Sequence, residues 1–277
     1  MKKTLSLLLG ISLVTASHAG LINQEKPVKH MADIIPFADK LANTYGKDKL
    51  CIVYDIDNTL ITNKGRFASE SWVYWQASQG NNYAKKLLGD NKANIYDFID
   101  AIRYFINYQP VEKDSAEIIS KLQDAYPSIA LTSRGFSSIA TTTRQLQYNH
   151  FDFSKNPIGD GNFDNSYLHL NKYKNGYSMY INGIQFAAGG DKGKLLQTLI
   201  LKERAKTDNP NLCQAIVYVD DTKSKADMIK RELKGKFAYY SLHYTYLPDP
   251  EDKENWQPNN WKKASGEITD LVNTLNG

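Results

Sequence analysis

The sequence predicts an α/β fold built on a doubly wound, mainly parallel sheet, and three observations predict it. Unbroken apolar runs occur at 50 to 54 (LCIVY), 128 to 131 (SIAL) and 215 to 219 (AIVYV). A run without polar alternation marks a strand covered on both faces. Each run stops at a polar residue (Asp55, Thr132, Asp220), and helix-like sequence follows the second and third, at 136 to 149 and 223 to 234. Strands alternating with helices imply right-handed βαβ units. Ligands in such sheets bind beyond the carboxyl ends of the strands. Asp55, Thr132 and Asp220-Asp221 are therefore expected to converge at one edge.

The remaining elements follow in chain order. Met1-Lys2-Lys3, the uncharged apolar run 4 to 14 and Ser17-His18-Ala19 form the n-region, h-region and small-x-small end of a signal peptide. The expected protein is thus exported, to the periplasm or outside, and cleavage after Ala19 leaves 258 residues. Residues 27 to 45 carry helical spacing and end at Gly46, predicting a helix in spite of Pro36. Residues 61 to 126 are rich in aromatics at helical spacing, with eight basic and eight acidic residues, and are expected to form a helical cap. Residues 161 to 189 carry Asn175-Gly176 and Asn182-Gly183, two hairpin turns of a β insertion. A last strand is expected at 237 to 242, a surface loop at 248 to 261 and a final helix at 265 to 275. The core domain is then 20 to 60 with 127 to 277.

Charge excludes some functions. Lys+Arg 34 against Asp+Glu 30 gives +4, and two lysines leave with the leader. An excess so small gives no reason to expect a nucleic-acid partner, and no lipid or membrane anchor is expected after cleavage. Cys51 and Cys213 each open an apolar run, and the residues alone leave a bridge and two buried thiols equally open.

The strongest chemical signal is Asp55-Ile56-Asp57-Asn58-Thr59-Leu60 at a strand end. A carboxylate there can attack an electrophile directly. A second one, two residues on, can protonate a leaving oxygen and later deprotonate water. The competing reading is a calcium-type loop, but the Gly and Glu of such a loop are absent.

These residues resemble the haloacid dehalogenase (HAD) superfamily, whose phosphatases open with hhhhDxDxT(L), matched by Cys51 to Leu60. Leu131-Thr132-Ser133-Arg134-Gly135 is similar to the second motif, Asp191-Lys192-Gly193-Lys194 to the third and Val219-Asp220-Asp221 to the fourth. All four stand in the family's order over residues 51 to 221. A finer likeness is to exported, cap-bearing acid phosphatase-like members of unassigned substrate. The resemblance implies a Rossmann-like core, Asp55 as nucleophile and Asp57 as general acid/base. It also implies phosphoryl contacts from Thr132 or Ser133 and from Lys192, and Mg²⁺ held by Asp55, the Asp57 carbonyl and Asp221, with Asp220 in support. In this family the first-motif and fourth-motif strands are neighbours, which implies a Cys51–Cys213 bridge.

Physical chemistry supports the same roles. Two like charges ~4 Å apart repel by about 4 kcal/mol at an effective dielectric of ~20, so a nucleophilic carboxylate approaching a phosphoryl group needs a divalent cation and a lysine. An all-oxygen donor set favours Mg²⁺ over zinc. Lys194 rivals Lys192, and Arg134 is open between substrate and a carboxylate partner. One departure stands out: the position four after Asp221, often acidic in the family, is Lys225. Trp72 and Trp75, three apart, share a helix face and serve either core or substrate stacking.

The function expected is an exported Mg²⁺-dependent phosphatase acting on a small phosphomonoester through an aspartyl-phosphate. The alternative is a catalytically weak HAD-like binding protein that recognises a partner through cap and β insertion. Dehalogenase chemistry would leave Asp57 and Asp221 unexplained.

Overall fold

A computed structural model describes residues 23–63, 67–79, 95–161, 169–171, 176–250 and 252–276. The expected leader lies outside them, as do residues 80–94 of the expected cap and parts of the β insertion. Among the described residues, eight strands form one sheet in the order β1-β10-β9-β2-β5-β8-β7-β6. These are β1 (Asn23–Val28), β2 (Leu50–Tyr54), β5 (Ser128–Thr132), β6 (His169–Asn171), β7 (Gly176–Ile181), β8 (Ile184–Phe186), β9 (Ala215–Asp220) and β10 (Ala238–Tyr244). Every pair from β1 across to β8 is parallel, and β7 and β6 add antiparallel strands at one edge. The protein is an α/β fold with a mostly parallel sheet, as its unbroken apolar runs predict.

Successive strand residues face opposite sides, and the core divides accordingly. Leu50, Ile52, Tyr54, Val217 and Val219 pack with Ala38 and Leu41 of α1 (Ile34–Tyr45) and with Ile118, Ile119 and Leu122 of α4 (Ser115–Ala125). Cys51, Val53, Ile129, Leu131 and Tyr218 pack on the other face with Leu196, Leu199 and Ile200 of α6 (Lys192–Thr207) and Ile229 and Leu233 of α7 (Lys223–Leu233). Helix layers thus cover both faces. Cys51 and Cys213 are joined in a disulfide, which ties the start of β2 to the residues before β9.

Several boundaries differ from the sequence reading. The helix expected from residue 27 starts at Ile34, because Asn23–Val28 pairs in parallel with β10 as an edge strand. An edge strand tolerates Pro27 and the charged residues around it. Pro36 is the third residue of α1, where its missing N–H has no partner within the helix anyway. The loop expected at 248 to 261 ends sooner, since α8 (Pro258–Asn276) begins with Pro258 in the first helical position, which suits proline.

The region expected as a cap, 61–126, divides in two. Its last helix, α4, belongs to the core layer of the sheet. Its first part holds a two-stranded ribbon, β3 (Ile61–Asn63) with β4 (Tyr108–Pro110), and the helices α2 (Glu70–Ser78) and α3 (Ile95–Arg103). There Trp72, Trp75 and Ile99 form a separate apolar cluster with Trp261 of α8. Trp75 and Trp261 lie 5.5 Å apart between ring centroids. The tryptophan pair is therefore core, packed against the C-terminal helix.

The expected β insertion continues the main sheet. Asn182 and Gly183 both have positive φ (51° and 71°) and close a two-residue turn between β7 and β8. A Cβ on Gly183 would fall 1.9 Å from the Phe153 carbonyl oxygen, so glycine is required there. At the other turn Asn171 pairs with Gly176, which places Gly176 inside β7 rather than at the centre of a two-residue turn.

Candidate active site

The strand order places the chain reversal at β2, with β5 on one side and β9 on the other. The carboxyl ends of these three strands deliver Asp55, Thr132, Asp220 and Asp221 to one edge, as the sequence predicts. The Asp55 N–H donates to the Val219 carbonyl (2.9 Å), so the β2–β9 ladder itself fixes the start of the Asp55 loop beside Asp220.

Lys192 joins them from the first turn of α6. Asp191 caps that helix, accepting from the Gly193 and Lys194 amides at 2.9 and 3.1 Å. The Lys192 ammonium donates to Asp55 Oδ1 (2.5 Å), to the Tyr218 hydroxyl (3.1 Å) and to Asp220 Oδ2 (3.3 Å). Burial alone would lower this ammonium, but Asp55 and Asp220 outweigh it and hold its pKa above the ordinary lysine value. Lys194 is exposed and takes no part in the cluster. Gly193 has a packing reason of its own: a Cβ there would meet Glu232 at 2.8 Å, so glycine lets α6 and α7 approach.

Asp220 is engaged at both oxygens. Its Oδ1 accepts from the Thr222 amide (2.7 Å), and its Oδ2 accepts from Lys192 and from the Tyr218 hydroxyl. Asp221 is different. Its Oδ1 accepts a long bond from the Thr59 hydroxyl (3.4 Å), while its Oδ2 is buried with no hydrogen-bond partner. Asp55, Asp220 and Asp221 each offer an oxygen within 4.8 Å of the others. Three buried carboxylates around one ammonium, with one oxygen orphaned, fit a hard divalent cation of the Mg²⁺ kind. Asp220 already accepts three hydrogen bonds, so Asp55 and Asp221 are the carboxylates with most left to offer it. Burial, only partly countered by Lys192, pushes the Asp55 carboxyl up to about 7, and burial with Glu70 and Asp220 pushes Asp221 well above the usual carboxylate range.

Asp57 stands apart from that cluster. Its two oxygens accept from Arg134 Nη2 (2.8 Å) and Nε (2.9 Å), a bidentate pair, and Arg103 Nη2 of α3 adds a longer contact (3.4 Å). Burial would raise this carboxyl, but the two guanidiniums prevail and hold it well below the usual carboxylate range. Arg134 is itself fixed, donating to Thr142 and Gln145 of α5 (Ile139–Tyr148) and lying over the Tyr108 ring. Of its two sequence-level readings, pairing with a carboxylate is the one the structure contains.

Thr132 is buried, and its hydroxyl oxygen accepts from the Arg134 amide (3.1 Å). Its hydrogen remains free to donate to an anion. Ser133 is half-buried, and its carbonyl accepts from the Gly189 amide (2.9 Å), which lines the second-motif loop against the loop leading to Lys192.

Sequence reasoning missed three participants. Tyr218 precedes Asp220 by two, so the strand period puts both on one face, a signal available in the sequence. Arg103 carries no such signal. Glu70 opens α2 behind the Ser69 cap, and its Oε2 accepts from the Thr222 hydroxyl at 3.5 Å. Burial, with Asp55 and Asp57 nearby, pushes its carboxyl up to about 8.

Sheet and site together define an α/β protein with a carboxylate-and-lysine centre at the carboxyl edge of its parallel strands. No helix among the described residues is long and apolar enough to cross a membrane. The profile of the family described as "Protein of unknown function (DUF2608)" matches residues 27–276, and the chain belongs to that family. No curated protein and no solved structure matches it.

Proposed function

We propose that the protein is an exported, Mg²⁺-dependent phosphatase of the HAD type, hydrolysing a small phosphomonoester through an aspartyl-phosphate on Asp55. The observation that carries this reading is the contact between Lys192 and Asp55 (2.5 Å) beside the orphaned oxygen of Asp221. A nucleophilic carboxylate thus sits with a cation on one side and a site for a second on the other. The Cys51–Cys213 bridge supports export, because disulfides persist in oxidising compartments. Arg103 and Glu70, reaching the site from the first part of the 61–126 region, support that part as its cap.

In this mechanism Asp55 attacks phosphorus and displaces the substrate alkoxide, which takes a proton from Asp57. Asp57 then draws a proton from water, whose oxygen attacks the phosphoryl group and returns Asp55 as a carboxylate. Lys192 and the Thr132 hydroxyl steady the phosphoryl oxygens. Asp55, Asp221 and the Asp57 carbonyl would hold Mg²⁺, which would supply charge neutralisation for carboxylate and phosphoryl group together. The resting arrangement sets one condition. Asp57 is held ionised, so it must first take up a proton from solvent or from the entering phosphomonoester monoanion, an uptake that its contacts with Arg134 and Arg103 oppose.

Phosphate release from a panel of phosphomonoesters with Mg²⁺ tests the proposal. Asp55→Asn is expected to reduce turnover by about 10⁴-fold or more, and EDTA to abolish it reversibly. Equal release by wild type, Asp55→Asn and EDTA-treated protein would overturn the proposal.

A further inference from the structure

Five carboxylates approach one another at the site, and the fifth, Glu70, comes from α2 rather than from the sheet. We propose that Glu70 is the acid that completes the cation site, reaching the ion through its bound water and standing in for the acid that Lys225 fails to supply. The inference rests on the Mg²⁺-dependent reading above.

Four observations converge on it. The chain has Lys225 four residues after Asp221, so α7 offers no second carboxylate at that position. Asp220 is already engaged by Thr222, Tyr218 and Lys192, which leaves it less to offer a cation than Asp221. Asp221 Oδ2 is buried and unpartnered, which marks the side from which a ligand is missing. Glu70 reaches the loop that carries Asp221, where its Oε2 accepts from the Thr222 hydroxyl at 3.5 Å.

As the first residue of α2, Glu70 also meets the N-terminal end of the helix dipole, an ordinary position for an acid. Among the described residues no Lys, Arg or His lies within ion-pair distance of Glu70; Lys225 acts on it only from farther away. A half-buried anion facing four others is held there at an electrostatic cost unless a cation comes between them. Glu70 lies outside the trio whose oxygens gather within 4.8 Å. That separation suits an outer position, since Mg²⁺ keeps several of its waters and each water donates to a carboxylate beyond it. The helix cap at Ser69 fixes the backbone of Glu70, so the side chain starts from a defined place.

The experiment is calorimetric titration of Mg²⁺ into the EDTA-stripped, disulfide-intact protein as wild type, Glu70→Gln and Glu70→Asp, alongside melting of each protein without metal. Loss of an outer-sphere partner typically costs about 10–100-fold in metal affinity. Glu70→Gln is expected to fall in that range and Glu70→Asp, which keeps the charge but shortens its reach, to fall less. The metal-free proteins are expected to melt no lower than wild type. Wild-type affinity in both variants would overturn the inference, as would a metal-free Glu70→Gln protein that melts well below wild type. A wild-type protein that binds no Mg²⁺ would instead overturn the cofactor reading on which the inference rests.

Discussion

Asp55 and Asp57 are two residues apart and lie in opposite electrostatic surroundings. On the Asp55 side three buried carboxylates gather, one ammonium, Lys192, pairs with two of them, and an oxygen of the third, Asp221, has no partner. On the Asp57 side Arg134 pairs with Asp57 and Arg103 is shared between Asp57 and Asp100, two guanidiniums for two carboxylates. The same chemical group is consequently pushed up to about 7 in one case and held below its usual range in the other. The difference teaches where the protein is built to take something in. The first half is short of positive charge, as the proposed cation site requires, whereas the second is already matched by positive charge.

The largest expected effect acts on the frame that keeps the carboxylates of the first half together. The Cys51–Cys213 bridge spans 162 residues and joins β2 and β9 at the end remote from Asp55. A loop of that length corresponds to about 5 kcal/mol in the chain-entropy account of disulfides. Replacing both cysteines by alanine is expected to lower the unfolding free energy by up to that amount in urea titrations. A loss under about 1 kcal/mol would mean that strand pairing alone sets the spacing of Asp55 and Asp221.

Next comes the neutralised half. Removing one partner of a buried ion pair strands the other, at about 3–5 kcal/mol. Arg134→Ala is expected to destabilise by that amount in denaturant. Combining it with Asp57→Asn should recover part of the loss, since the stranded charge is gone. Equal destabilisation with and without Asp57→Asn would show that Arg134 matters through Thr142, Gln145 and Tyr108, and that the ion pair does not define this half.

Much of this contrast was legible in the sequence, though unevenly. The unbroken apolar runs and their polar stops were enough to place Asp55, Thr132 and Asp220 at one edge, because a parallel sheet turns strand ends into neighbours. Lys192 could be preferred over Lys194 by motif, and a separation of two residues, about half a helix turn, then divides a buried side chain from an exposed one. What the sequence did not reveal depends on contacts between distant segments. Arg103 reaches Asp57 across 46 residues with no periodic signal. Glu70 is an ordinary helix-start acid until α2 sits over the Asp221 loop. The strand Asn23–Val28 is too polar to read as one, since an edge position relieves it of the need for apolar faces.

The remaining expected effect is a pH drift confined to the cation-poor half. Without metal, Asp55 titrates near 7 in the folded protein against an ordinary 3.8, and Glu70 near 8 against 4.5. Between those limits the folded state binds more protons than the unfolded chain, so stability falls as pH rises. Asp57 has the opposite sign: its contribution is fully present above its ordinary 3.8 and is lost only as pH falls toward its depressed folded value. From about pH 5 to about pH 8 Asp57 therefore contributes no drift, and the drift that remains is the loss contributed by Asp55 and Glu70. Thermal melts in EDTA across that range should show the decline, and Mg²⁺ should stabilise the protein more at the upper end than at the lower. A flat profile in EDTA would mean that Lys192 alone satisfies the three carboxylates. The two halves would then differ in geometry but not in their need for a cation.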